Sequence, residues 1–203
     1  GLMQDLLLAS PEMDKRDKFL GLADSILQSV ERARGITYRL LGFARRLESS
    51  SEALDVNQVL NNVIGFIQKE ADDRNVSIQL DLQESMDQIV SDQGQLEQVF
   101  LNILNNALAA VEEEGRIKIQ SWEESPEMIA VSIEDNGSGM SKDTMEHIFE
   151  PFFTTKKQFG TGLGLSITYG IVKKLGGEIK VQSQVDVGSR FIIFLPKRQS
   201  VTS

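Results

Sequence analysis

The chain has 203 residues, 40% hydrophobic and 25% charged, the profile of a globular protein with room for one good core and a smaller unit. Its 21 Lys and Arg against 30 Asp and Glu leave a net charge of -9, which repels nucleic-acid phosphate unless positive charge gathers on one face, and no basic run does that. The absence of cysteine and the single histidine exclude disulfides, thiolate nucleophiles and most zinc chemistry, so any metal here is expected to be a hard ion with oxygen ligands, magnesium first.

No stretch approaches the roughly 20 uninterrupted apolar residues of a membrane helix, and no signal segment opens the chain. The reading is cytoplasmic. A start at Gly1 without methionine marks a processed or excised fragment, compatible with a parent protein anchored in a membrane through segments upstream.

In chain order, the first pattern is a seam at Phe19, Ala23, Ile26, Val30, Ala33, Thr37, Leu40, Ala44 and Leu47, stepping four and three throughout. Such a helix cannot bury its seam alone and wants a hairpin partner or a second subunit. "GLMQDLLLAS" reads as the tail of that partner helix and "SPEMDK" as the turn between them. The serine-rich "ESSSEALD" then reads as a linker, after which Asp55 can cap a helix with Val56, Val59, Leu60, Val63, Ile64 and Ile67 on one face.

"VSIQLDL" alternates as a strand, and residues 92–113 form a helix with an apolar set from Leu96 to Val111. "RIKIQSW" and "MIAVSIED" make a hairpin around "EESPE". "GLSITYGIVKKLGG" is a helix with glycines at its exit, and "EIKVQSQ" and "SRFIIFLP" close the chain as a last hairpin. Helices set against mostly antiparallel strands predict an α+β sandwich, one mixed sheet covered by helices on one face.

Three stretches carry candidate chemistry. "LNILNNALAA" puts Asn102 and Asn106 four apart on one helical face, with Asn105 turned away. Two amides there suit a magnesium ion brought by a nucleotide; an exposed polar stripe would explain them as well. In "EDNGSGM", Asp135 ends an apolar strand, where its carboxylate can accept a hydrogen bond from an amine while Gly137 and Gly139 let backbone approach a flat ring; an ordinary turn fits too. "GTGLGLS" places alternate glycines at a helix start, the arrangement that aims free N–H groups at phosphate, though alone it is weak evidence.

Taken in order and together with "IFEPFFTTKK", these stretches resemble the catalytic, ATP-binding part of two-component sensor histidine kinases, of the nitrogen-regulation-like type, from Asp55 to Pro196. The family's asparagine box maps to Asn102 and Asn106, its first glycine box to Asp135, Gly137 and Gly139, its phenylalanine box to Phe149, Pro151, Phe152 and Phe153, and its second glycine box to Gly160, Gly162 and Gly164. The resemblance implies a Bergerat-type fold and a site for ATP and Mg2+ in which Asp135 binds the adenine amine and Asn106 ligates magnesium. In that site Gly160, Thr161, Gly162, Leu163 and Gly164 face the phosphates. Lys156 or Lys157, in a short lid, could reach a phosphate or be merely solvated. Ala109 and Ala110 depart from the family, which often has a lysine or histidine and a tyrosine there.

"VERARGITYRLLGFAR" resembles the second helix of the family's dimerisation and phosphotransfer hairpin. The implied division is a partial hairpin over 1–48, a linker over 49–55, the ATP-binding domain over 56–198 and a tail over 199–203. The acceptor histidine would sit upstream of Gly1, removed by trimming and not lost in nature. No residue of the chain is assigned as catalytic, and His147 is read as a surface or packing residue. The implied activity is transfer of the γ-phosphoryl of Mg-ATP to that histidine and on to an aspartate of a response regulator receiver domain, in a homodimeric parent. Two rivals stand beside it: a Bergerat-type ATPase, disfavoured because Asn102 holds the position of its basic glutamate, and a pseudokinase or partner-binding module.

Overall fold

The computed structural model describes residues 19–22, 26, 51–155 and 161–198. The chain divides into two compact units, Gly1–Leu47 and Glu48–Ser203. In the first, Phe19, Leu22 and Ile26 are helical and exposed. The rest of the seam, the proposed partner helix "GLMQDLLLAS" and its turn lie outside the described residues, as do the tail 199–203, residues 156–159 of the expected lid "TTKKQF" and Gly160.

The second unit opens with β1 (Glu52–Leu54) and α1 (Val56–Asp73). Asp55 caps α1, its Oδ1 accepting from the Asn57 N–H at 2.8 Å. The face from Val56 to Ala71 is buried at helical spacing. β1 lies within the stretch read as linker: it pairs antiparallel with β3 (Ile89–Ser91), Ala53 opposite Val90, because Leu54 and Ile89 are both core residues.

β2 (Ser77–Leu82) follows α1, and after β3 comes α2 (Gln93–Ala110). Asp92 caps α2 twice over, one oxygen accepting from the Gln95 N–H at 2.9 Å and the other from Gln95 Nε2 at 2.8 Å. α2 stops three residues before the expected end. Val111 is buried but extended, and the Arg74 guanidinium reaches across from the end of α1 to donate to the Leu108 and Val111 carbonyls, both at 2.6 Å. A helix end capped by a foreign cation in this way needs no further turn.

β4 (Arg116–Ser125), β5 (Met128–Asp135), β6 (Glu178–Gln184) and β7 (Gly188–Pro196) complete the main sheet, in the order β2-β4-β5-β7-β6. Only β2 and β4 run parallel. The hairpin turn expected at "EESPE" is tighter than predicted, since β4 continues through Ser125 past an irregularity after Glu123. Between β5 and β6 lie the short α3 (Lys142–His147), capped by Ser141, and α4 (Gly164–Lys174).

Register sorts the sheet into two faces. Ile119, Ile133, Phe191 and Val181 stand in one cross-strand row, and Ser121, Val131, Ile193 and Ile179 in the next, all turned toward the helices. The intervening rows, such as Lys118, Glu134, Arg190 and Gln182, face away. α2 is central in the helical layer, touching α1 on one side and α4 on the other, and it lies against β5 and β7. Phe100, Leu96, Ile103 and Leu104 of α2 are fully buried there, each side chain contributing about 1.5–3 kcal/mol of hydrophobic stabilisation. At the far end Lys197 closes the unit: its Nζ lies 2.7 Å from Asp87 and 2.9 Å from Glu123, and its carbonyl accepts from the Val90 N–H at 2.9 Å.

Candidate nucleotide site

β5 delivers Asp135 to the edge of the helical layer, where it is 5% exposed. Burial pushes its carboxyl above the ordinary aspartate range, against the opposing pull of the Gly137 and Ser189 backbone N–H groups; the neighbouring Glu134 adds to the rise. The Gly137 N–H lies 2.9 Å from Oδ1. Among the described residues no Lys, Arg or His pairs with this carboxylate, a costly arrangement for a structural acid and an ordinary one for a group that awaits a donor.

The turn after Asp135 is fastened on every side. The Ser138 N–H donates to the Ala110 carbonyl at 3.1 Å, Asn136 exchanges bonds with the Arg116 backbone, and the Asp186 N–H donates to the Ser138 carbonyl at 2.8 Å. This changes the reason for its glycines. A Cβ on Gly137 would stand 2.4 Å from the Ala110 carbonyl oxygen, and one on Gly139, where φ is +62°, 1.9 Å from that of Gln184. The room expected for a flat ring at those two positions is filled by the protein's own backbone, from the end of α2 and the β6–β7 hairpin.

The asparagine helix behaves as its spacing predicts in one respect: Asn102 and Asn106 are half-buried while Asn105 is exposed. Asn102, however, is already engaged. Its Nδ2 donates to the Gly164 carbonyl at 3.2 Å and to Thr168 Oγ1 at 3.3 Å, so it joins α2 to the glycine-rich start of α4. Thr168 is fully buried, and nothing in the sequence pattern marked it out.

That start is built for donors. Leu163 occupies the N-cap with no side-chain hydrogen bond, and no acidic residue sits in the first turn. Gly162 takes φ +64°, and a Cβ there would lie 2.3 Å from the Phe152 carbonyl carbon; the Phe152 N–H donates to the Gly162 carbonyl at 2.9 Å. Phe152 itself is left-handed, φ +68°, with its ring 74% exposed. Phe149 packs on Tyr169 of α4, ring centroids 5.2 Å apart, and Phe153 on His147 at 5.6 Å. His147 lies 2.8 Å from Glu150, whose carboxylate raises the imidazole above its ordinary range. Thr161 is exposed; Lys156, Lys157 and Gly160 are outside the described residues.

α2 is therefore the spine that brings the pieces together. Residue 102 holds the glycine-rich start and residue 110 holds the aspartate turn, about 12 Å apart along the axis at 1.5 Å per residue, with Asn106 midway. A separate cleft of about 350 Å3, lined by Asp81, Gln120, Trp122 and Arg190 among others, shares none of these residues.

The family described as histidine kinase-, DNA gyrase B- and HSP90-like ATPase matches residues 91–199, more than half of the chain. The sensor histidine kinase ZraS of Escherichia coli (strain K12) is 32% identical over 175 residues, which are 86% of this chain and 37% of ZraS. The chain thus spans little more than a third of that relative. The nucleotide-free catalytic domain of histidine kinase ThkA is 31% identical, with a TM-score of 0.66 over 73% of this chain and 99% of that one. A second ThkA structure, in complex with the response regulator protein TrrA, shares the fold at TM-score 0.73 and 23% identity, over 97% of this chain and 57% of that one. This chain belongs to the histidine kinase-, DNA gyrase B- and HSP90-like ATPase family, and carries the catalytic domain of a sensor histidine kinase.

Proposed function

We propose that the chain binds Mg-ATP along α2 and serves in a parent kinase that transfers the γ-phosphoryl group to a histidine outside this chain, for relay to an aspartate of a response regulator. The observation that carries this is Asp135: a buried carboxylate with no cation beside it among the described residues, held by backbone N–H groups at the end of a strand. Such a group gains from a hydrogen-bond donor that arrives with a ligand, as the exocyclic amine of adenine does.

In this reading Asp135 takes the adenine amine, while Gly137 and Gly139 keep the turn that aims it. Gly160, Thr161, Gly162, Leu163 and Gly164 offer backbone to the phosphates at the positive end of α4, with Lys156 or Lys157 as a second source of charge. Asn106 would ligate magnesium, with Asn102 beside it. Among the described residues no group of three His, Cys, Asp or Glu side chains stands ready for a metal. A nucleotide-borne ion would then rest on amide oxygens and on phosphate, which suits a hard cation that keeps several of its own ligands. When bound, it would neutralise charge that develops on the transferred group.

His147 is a poor acceptor candidate because Glu150 and Phe153 already hold its ring. An ATPase would need a base at residue 102, and an amide cannot take a proton there. The response regulator partner is supported by the ThkA–TrrA complex, and the homodimer by the exposed seam residues Phe19 and Ile26. Among the described residues no helix is long and apolar enough to cross a membrane; the cytoplasmic placement of this part belongs to the kinase reading.

Calorimetry of Mg-ATP binding to the chain and to Asp135→Asn tests the reading. Magnesium-dependent binding that weakens about 10- to 100-fold in the variant is expected, the cost of losing a hydrogen bond to a charged group. Equal affinity in both chains, or none in either, would refute it.

A further inference from the structure

We infer that Thr168 is a positioning residue for the nucleotide site, which holds Asn102 so that its side chain offers a nucleotide-borne magnesium an oxygen and no N–H. The inference deepens the proposed function and rests on it.

A primary amide has two N–H donors and one carbonyl oxygen. Asn102 Nδ2 faces the Gly164 carbonyl oxygen at 3.2 Å, and a backbone carbonyl can only accept. The nitrogen must be on that side, which fixes the orientation of the amide. The same nitrogen also donates to Thr168 Oγ1 at 3.3 Å. Thr168 is fully buried, so its hydroxyl has to find its partners within the protein. With the nitrogen turned to these two acceptors, Oδ1 lies on the opposite branch of the amide and is what Asn102 has to offer there.

Gly164 and Thr168 are four apart and stack on one face of α4, so a single amide grips the first turn of the helix at both ends. The tether does two things together: it sets where the donors of α4 stand relative to α2, and it turns an oxygen toward whatever shares the face of Asn102 and Asn106. A valine at 168 keeps the shape and loses the hydroxyl; a serine keeps the hydroxyl.

The ligand-free test is exchange of the Asn102 side-chain amide protons by NMR, assigned by their disappearance in Asn102→Asp. Both should be protected in the wild type and in Thr168→Ser, with one exchanging at least about tenfold faster in Thr168→Val. With ligand, calorimetry should show Thr168→Val weakening Mg-ATP by about three- to tenfold, adenosine by nothing, and Thr168→Ser restoring the loss. Equal amide exchange in all three chains would overturn the tether. Parallel loss of adenosine and Mg-ATP in Thr168→Val would reduce Thr168 to a packing residue. A wild type with protected amide protons that binds no Mg-ATP would overturn the proposed function, and the ligand half of this inference with it.

Discussion

The two ends of α2 hold their clients in different ways. At Ala110 the aspartate turn is gripped by backbone: carbonyls of α2 and of the β6–β7 hairpin fill the space beside two glycines, and three backbone bonds lock the loop. At Asn102 the bonds seen among the described residues include a side-chain amide that reaches the glycine-rich start and a backbone bond from Phe152. The first attachment is made by backbone that continues the sheet; the second depends in part on a side chain. A site that reads a rigid base at one end and accommodates a reacting phosphate at the other would be built this way.

The contrast breaks most sharply at Gly139. Gly139→Ala puts a methyl group into the Gln184 carbonyl at a left-handed φ and should destabilise the unit by about 3 kcal/mol, read as a lowered urea midpoint. Gly162→Ala meets a comparable obstruction in the Phe152 backbone, but at the end held in part by a side chain, so about 1–2 kcal/mol is expected, with nucleotide affinity falling more than global stability.

Asp135→Asn separates stability from binding. Removal of a desolvated charge should raise the urea midpoint at neutral pH while nucleotide affinity falls. The sign follows from the raised folded-state pKa. The penalty on the ionised carboxyl is fully present above that pKa, shrinks as pH falls through it, and is gone below the ordinary value of 3.8. The stability gap between variant and wild type should therefore narrow on acidification through that window, and a gap constant with pH would count against it.

The smallest effect is expected at Gly164→Ala. The new methyl group would find Asn102 Cγ at 4.0 Å, an ordinary contact, and alanine favours a helix, so the unfolding midpoint should stay within about 0.5 kcal/mol of the wild type.

Long periodic elements were legible in the sequence for a plain reason: α1, α2 and the strands β4 and β7 each repeat one burial pattern over enough residues to be read locally. β1 and β3 were not, being three residues each and stabilised by a partner some 35 positions away. The parallel pairing of β2 with β4 was equally hidden, since no local turn specifies it. α2 was overrun because Val111 continues the helical spacing yet reaches the core from extended backbone, with Arg74 supplying the cap. The site residues were recognisable as types in order. What the sequence concealed was who touches whom: glycines shaped by backbone neighbours, and an asparagine already bonded to a buried threonine.

The Lys197 clasp has a consequence for the order in which the molecule is made. Its ammonium and carbonyl hold the Asp87 loop and β3, and β3 is the sole partner of β1 in their two-stranded sheet. On a ribosome, β1 is among the earliest parts of this unit to emerge and Lys197 among the last. The clasp therefore closes late in the synthesis of the unit, and a chain stopped at Pro196 would keep every described residue of the candidate site while β3 and the Asp87 loop lacked this fastening.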